Sequence, residues 1–367
     1  LSQFYIDFQI IEDGYEIYKG TTKLPALKPN TIAKIKLPYN VELNQEKESF
    51  INLQLRLKEA NPWAEKDYAM AHWQFAINEI ENRLKEVKEN KEAFLVQEDK
   101  TQLTLENKGF KISFDKQNGE ILYWKYDGFE VISDRKGSPH YNNNRWIEND
   151  KHGDSISGEL ASTCEIKLNK EKTKAEIKIT TKGEKCPYTI EYTVYSNNIV
   201  DMKVTMNPIV EGLRRLGLGM IFSKDFEEID YYAKGPWENY NDRQEASFVG
   251  RYSTTVSDML TPYAHPQSCG NRQEMREIFL YKKGSTKGLK IEANQPIAFS
   301  MLHFDDKDFN KEKLHPWELN PREEVYAHFD YVQRGLGNGS CGPQTIEKYQ
   351  VPSSGTYSFT LRFSPLR

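Results

Sequence analysis

The sequence is short of several things, and each shortage removes a class of protein. No apolar run approaches the roughly 20 residues that a membrane-spanning helix needs, and no membrane partner is expected. Neither sign of charge dominates: 50 Lys and Arg stand against 54 Asp and Glu. A basic footprint for nucleic acid is therefore missing. There are four cysteines in 367 residues, Cys164, Cys186, Cys269 and Cys341. None forms a CxxC pair, so neither a disulfide scaffold nor a thiol zinc knuckle is indicated. Buried free thiols are the plain reading, and a Cys164–Cys186 bridge across neighbouring strands is the alternative. Seven histidines offer one close pairing with a thiol, His265 with Cys269, in a loop marked by Pro262 and Pro266. No metal and no cofactor is expected. Stretches in which strands alternate with amphipathic helices are also missing, which excludes a βα barrel and a doubly wound sheet.

What is present is strand patterning and aromatic content: 21 Tyr, 18 Phe and 6 Trp, residues that suit strands and also the apolar faces of sugar rings. Residues 4–10 alternate with apolar even positions, the period of a half-buried strand. Asp13-Gly14 turns the chain into Tyr15–Tyr18. Residues 33–37 and 50–57 continue the pattern, and the odd positions of 69–77 predict one buried face. Turn signals every 8–12 residues predict a small β-sandwich over 1–80. Residues 81–98 are highly charged. Ile77, Ile80, Leu84 and Val87 fit a helical stripe, yet no cap is evident, so a solvated linker and a short helix both remain open. From 99 to 367 strands resume, with turns at Asn118-Gly119 and Asp127-Gly128, and a large antiparallel two-sheet unit is expected. The chain opens Leu-Ser-Gln-Phe-Tyr inside a strand pattern, as expected of a segment of a longer polypeptide. If a preceding strand is missing, an edge of the first sandwich is left unpaired, and Phe4, Ile6 and Phe8 are expected to lose part of their cover.

Three segments break the strand pattern with convergent polar groups: 141–150 (YNNNRWIEND), 234–243 (KGPWENYNDR) and 334–343 (RGLGNGSCGP). Amides, carboxylates, Arg and aromatics are what saccharide recognition uses. The same residues also serve ordinary turn geometry. Gly335-Leu336-Gly337 with Gly339 lacks the GxGxxG spacing and following helix of a dinucleotide loop.

Segment 234–243 resembles the Gly-Pro-x-Glu-Asn-Tyr-x-Asp-Arg signature of the C-terminal domain of glycoside hydrolase family 2 β-galactosidases. Val249-Gly250-Arg251-Tyr252, Pro262-Tyr263, Pro266-Gln267, Gly270-Asn271-Arg272, Gly335-Leu336-Gly337 and Ser340-Cys341-Gly342-Pro343 continue it in order. Leu24-Pro25-Ala26-Leu27 and Ala60-Asn61-Pro62-Trp63-Ala64 resemble the immunoglobulin-like domain that precedes it. The resemblance implies an all-β chain: an immunoglobulin-like β-sandwich, a linker, then a large antiparallel supersandwich resembling galactose mutarotase. It implies that the two catalytic Glu residues belong to a (β/α)8 barrel of the parent enzyme that has no counterpart here, so the chain is expected to carry no catalytic residue. Its partners would be that barrel and a β-galactoside or related saccharide, with homo-oligomerisation left open. Trp146, Asn149, Asp150, Glu238, Asn239, Arg272, His328 and Cys341 are the candidate saccharide-facing residues. Asp242 and Arg243, with Glu238, are expected to form a structural network, and Trp237 and Tyr240 to pack in the core. In some relatives an aromatic of the glycine-rich loop stacks on sugar; Cys341 at the matching place has no ring face. His328 with Asp330 resembles the His and carboxylate of mutarotases. Two other readings therefore accompany the first: a stand-alone carbohydrate-binding module, and an epimerase-type enzyme.

Overall fold

The computed structural model describes residues 2–88, 90–148, 150, 159–310, 312–337, 339 and 342–366. Among these residues the only helical turns are 3-10 turns of three residues. The chain divides into two compact units, one of residues 1–81 with 248–251, the other of 82–247 with 252–367.

The first unit carries a four-stranded antiparallel sheet of β1 (Phe4–Glu12), β2 (Tyr15–Lys23), β3 (Ser49–Leu57) and β4 (Ala69–Asn78), in the order β2-β1-β3-β4. The β1 strand pairs on both sides, so it is interior and not the edge that its position in the sequence suggested. Phe8 and Ile10 are accordingly buried, Phe8 stacking 5.9 Å from Tyr18, while Phe4 and Ile6 are half-buried. The shortage of cover falls on β4 instead. Its odd positions do not form a buried face: Trp73, Phe75 and Ile77 are exposed, Phe75 by 53%. As an outer strand, β4 has a neighbour on one side only, and among the described residues no second layer closes over these side chains.

The second unit opens with the segment 82–94, in which no α-helix forms among the described residues. Its backbone is tied to distant strands: the Arg83 N–H donates to Asn294 O at 3.0 Å, Arg362 donates to Lys85 O at 2.6 Å, and Asn197 donates to Lys88 O at 3.1 Å. Val87 is buried. With these groups satisfied from outside, a helix has nothing to add.

Two sheets follow. The smaller is a meander of β5 (Leu95–Glu98), β6 (Gln102–Asn107), β7 (Phe110–Asp115), β8 (Ile121–Tyr126) and β9 (Phe129–Ile132). The larger contains β10 (His140–Tyr141), β11 (Glu159–Leu168), β12 (Lys174–Gly183), β13 (Tyr188–Tyr195), β14 (Ile199–Met206), β15 (Arg215–Phe222), β16 (Phe226–Gly235), β17 (Phe248–Thr255), β18 (Arg272–Lys282), β19 (Gly288–Leu302), β20 (Val325–Gln333) and β21 (Tyr357–Leu366). Its order is β10-β15-β20-β19-β21-β14-β13-β12-β11, with β16 to β18 branching from β19. The sequence dictates which side faces in. Along β12, Ala175, Ile177 and Ile179 are buried while Glu176 and Lys178 are exposed, the period of two that a one-sided strand requires. Register aligns this face with Tyr192 and Ile190 of β13. The core sits between the sheets, where Phe114 meets Tyr192 at 5.4 Å and Trp124 meets Phe363 at 5.2 Å. The Asn118-Gly119 turn fits because Gly119 has φ +77°, and a Cβ there would lie 2.3 Å from Ile179. Cys164, Cys186 and Cys269 are free thiols, so the Cys164–Cys186 bridge does not form.

Candidate functional site

The signature segment 234–243 starts on the last two residues of β16, Lys234-Gly235, and continues into the loop that leaves it. Glu238 turns inward. One carboxylate oxygen accepts from the Gly270 N–H at 2.7 Å, and the other accepts from Tyr263 Oη and Arg243. Arg243 also donates to Tyr263 Oη at 3.1 Å and lies 5.4 Å over the Tyr240 ring. Burial, and then the Glu238 carboxylate, push the Tyr263 phenol up to about 12, so it remains a donor at neutral pH. Glu238, Arg243 and Tyr263 are thus bonded to one another.

Asn239 is buried and wholly occupied. Its amide donates to Lys234 O at 3.1 Å and to Trp237 O at 2.8 Å, and its carbonyl accepts from the Gln273 N–H at 2.9 Å. Asn271 mirrors it, donating to Asn239 O at 2.7 Å and accepting from Gln333 at 2.6 Å. Arg272 is buried against the carbonyls of Gly270 and Asn271, each at 3.3 Å. Tyr240 is core, as expected. Trp237 is not: it is 70% exposed. The carbonyls of its loop bond to Asn239 and Tyr231, which turns the backbone inward and the indole outward.

Asp242 does a different task. It accepts the Gly337 N–H at 3.2 Å, and a Cβ on Gly335 would lie 2.4 Å from its carboxylate. Asp242 thus holds the glycine-rich loop and dictates glycine there. The same loop is clasped from the opposite side by buried arginines. Arg145 donates to Arg334 O and, at 3.2 Å, to Gly335 O; Arg334 donates to Gly337 O at 3.1 Å. Asp150, its carboxylate almost wholly buried, sits 3.2 Å from Arg334 and 3.5 Å from Arg214. Asn143 accepts the Arg214 and Arg215 N–H groups at 2.8 and 3.1 Å. Burial first, and then the neighbouring Arg215 and Arg334 charges, bring the Arg145 guanidinium down to about 10.

Trp146 is half-buried, edge-on to His265 at 5.4 Å. Its backbone is bound both ways to Ser268, at 2.9 Å, and His265 pairs with Glu148. Of the residues expected to face saccharide, Asp150, Glu238, Asn239 and Arg272 are therefore spent within the protein. Trp146 lies in the same loop cluster, and Asn149 and Cys341 lie outside the described residues. His328 lies elsewhere, on β20, and its ring nitrogen meets Asp306 at 3.1 Å, not Asp330. Asp330 is engaged by Gln333 at 2.8 Å and Arg215 at 3.4 Å. The arginines of the clasp escaped the sequence reading. Their signal was Arg214-Arg215 set between Leu213 and Leu216 at a strand start, where a charge can persist only if paired. What the cluster offers outward is Trp237, the half-exposed Arg243 and the exposed Glu148: a ring face, a cation and an anion on a prearranged frame.

This is an all-β chain whose strand-connecting loops converge on one polar cluster. Residues 106–363 match the family model of the beta galactosidase small chain, and residues 1–78 match that of beta-galactosidase, domain 4; the chain belongs to the β-galactosidase small chain family. It is 27% identical over 390 residues to a β-galactosidase of Lactobacillus delbrueckii subsp. bulgaricus, covering 100% of this chain and 36% of that protein. It is 21% identical over 374 residues to one from Priestia megaterium, covering 97% and 35%. The chain thus spans about a third of the length of these relatives. Among solved structures, a galactose mutarotase-like protein from Clostridium acetobutylicum shares 7% identity at TM-score 0.42, covering 74% of this chain and 98% of that one. A putative aldose 1-epimerase from Escherichia coli K12 shares 8% at TM-score 0.40, covering 74% and 99%.

Proposed function

We propose that this chain is the non-catalytic C-terminal portion of a β-galactosidase, and that it supports a separate catalytic barrel and shapes the mouth of its sugar site. The observation that carries this reading is that both family models match in order while the chain spans about a third of its relatives. Three features of the chain support it. The described strand pairs of both units run antiparallel, so the parallel βα units of a barrel have no counterpart among the described residues. Retaining glycoside hydrolysis needs two carboxyl groups about 5–5.5 Å apart and free to act, and Glu238 and Asp150 are committed to internal partners. The loops are fixed by buried charge and not left to form on binding, which suits a frame.

The purified chain is expected to release no nitrophenol from nitrophenyl β-galactoside above buffer. Turnover that survives rigorous purification and falls on Glu238→Gln would overturn the reading. Mixed with the barrel-containing two-thirds of a relative, the chain is expected to form a complex on size-exclusion chromatography.

A further inference from the structure

Beside β10 and β20, within the second unit alone, lies a cavity of about 200 Å³ that the loop cluster does not use. His140, Asn142 and Asn144 from the end of β10 form one wall. Asp306 forms another, from the 3-10 turn after β19, and Tyr326 and His328 of β20 complete it. Gly219 of β15 is its floor. A Cβ there would lie 2.9 Å from the Asn142 amide nitrogen and 3.2 Å from the His140 ring, so the backbone itself leaves the space.

The walls are built. Asn142 donates to Asp306 at 2.9 Å and accepts from the Asn144 N–H at 2.7 Å. The turn bearing Asp306 is closed by the Asp305–Asp308 capping box, and Arg322 grips Asp308 at 2.7 and 2.8 Å. Such preorganisation reduces what binding must order.

One largely buried carboxylate stands on the lining. Burial alone would raise the Asp306 carboxyl, yet His328, Arg215 and the Asn142 amide together hold it down to about 2. It is ionised, with His328 and Asn142 as its hydrogen-bond partners. Asp305 and Lys307, also on the lining, are of opposite sign. What remains is a ring, Tyr326, with amide and imidazole groups of both hydrogen-bonding senses. At ~30 Å³ per water the volume equals about six or seven waters, the size of one pyranose with its hydroxyls.

We propose that this cavity binds one hydroxyl-rich molecule of monosaccharide size, apart from any sugar held at a barrel mouth. The site goes beyond the β-galactosidase reading and needs no barrel. The test is saturation-transfer NMR and calorimetry on the 367-residue chain, with D-galactose and D-glucose as probes and galactonate and glucosamine as charged counterparts. A neutral hexose should bind with a dissociation constant on the order of millimolar. Galactonate, whose carboxylate would face Asp305 and Asp306, should bind about tenfold more weakly, and glucosamine no more weakly than the hexose. Tyr326→Leu, which keeps an apolar strand residue, and Asn142→Ala should each weaken the hexose at least tenfold, with an unchanged far-UV spectrum showing that the fold survives. No saturable binding by either hexose, at concentrations tens of times the expected constant, overturns the proposal. So does loss of binding on Trp237→Ala with retention in both cavity variants, which would put the sugar on the loop surface. Galactoside cleavage by the chain would overturn the framing role and leave the cavity standing; failure of the cavity leaves the framing role standing.

Discussion

Asn239 separates a sugar ligand from a scaffold residue. In the structure its buried amide spans three backbone groups, Lys234 O, Trp237 O and the Gln273 N–H. Asn239→Ala deletes three hydrogen bonds. Each contributes about 1 kcal/mol net, and a partner left buried and unsatisfied adds to the loss. The sum is about 3–4 kcal/mol. For a unit of this size, 1 kcal/mol moves the midpoint roughly 2–4 °C, so the melt of the second unit should fall on the order of 10 °C by calorimetry. Asn239→Asp should be no milder at neutral pH. It keeps the acceptor for Gln273 but turns lone pairs toward the carbonyls of Lys234 and Trp237. Its deficit should shrink as pH falls and protonation returns one donor. The reasoning is refuted if Asn239→Ala stays within about 0.5 kcal/mol of the parent while sugar binding disappears, because the amide would then be facing ligand.

Other perturbations test other links. Asp306 is held at about 2 against about 3.9 unfolded, so its ionisation contributes stability that is full above about pH 4 and is lost as pH falls toward 2. That contribution is on the order of 2 kcal/mol, and urea titrations from pH 7 to 3 should show it shrinking in the parent and absent in Asp306→Asn. Asp150→Asn leaves the buried guanidiniums of Arg214 and Arg334 without their carboxylate; a loss of about 3–5 kcal/mol should appear as faster proteolysis at 334–345. Gly217→Ala places a Cβ 2.0 Å from the Asp330 carboxylate and 2.6 Å from Phe329 O, and should abolish soluble expression. Burial pushes the thiols of Cys186 and Cys269 up to about 11 and about 12, so both should resist a thiol reagent at pH 8 until the chain is unfolded.

Strand existence was legible in the sequence because it rests on a local period. The strand patterns of 4–10 and 50–57 fall within β1 and β3, and the Asn118-Gly119 turn forms where the dipeptide stands. Residues 82–94 were ambiguous because what decides them lies far away in sequence, in Asn294, Arg362 and Asn197. The buried face expected on β4 failed because alternation shows that two faces differ and not whether a second layer exists to cover one. At the site, residue type was readable and direction was not. Glu238, Asn239 and Arg272 have the chemistry of sugar ligands. They point inward because loops rich in glycine and proline leave many backbone groups without strand partners, and these side chains satisfy them. His328 and Asp330, two apart on a strand, share a face, which made them a plausible pair. The histidine meets Asp306 instead, on a turn 22 residues upstream, a contact with no local signature.

The buried arginines bear on what kind of surface the loops can present. Arg145, Arg214, Arg215 and Arg334 face two buried carboxylates, Asp150 and Asp330. Backbone carbonyls of Arg145, Arg334, Gly335 and Gly337 take up further donors. A guanidinium that satisfies carbonyls in this way can hold a glycine-rich loop without any hydrophobic anchor, because five fixed donors reach several turns of backbone at once. Burying this much charge is expensive, and the arrangement persists only while every member stays in place. A loop held so cannot close over a ligand and reopen without stranding those charges. Motion in this cluster therefore has to come from the exposed side chains, Trp237 and Arg243, while the backbone beneath them stays fixed.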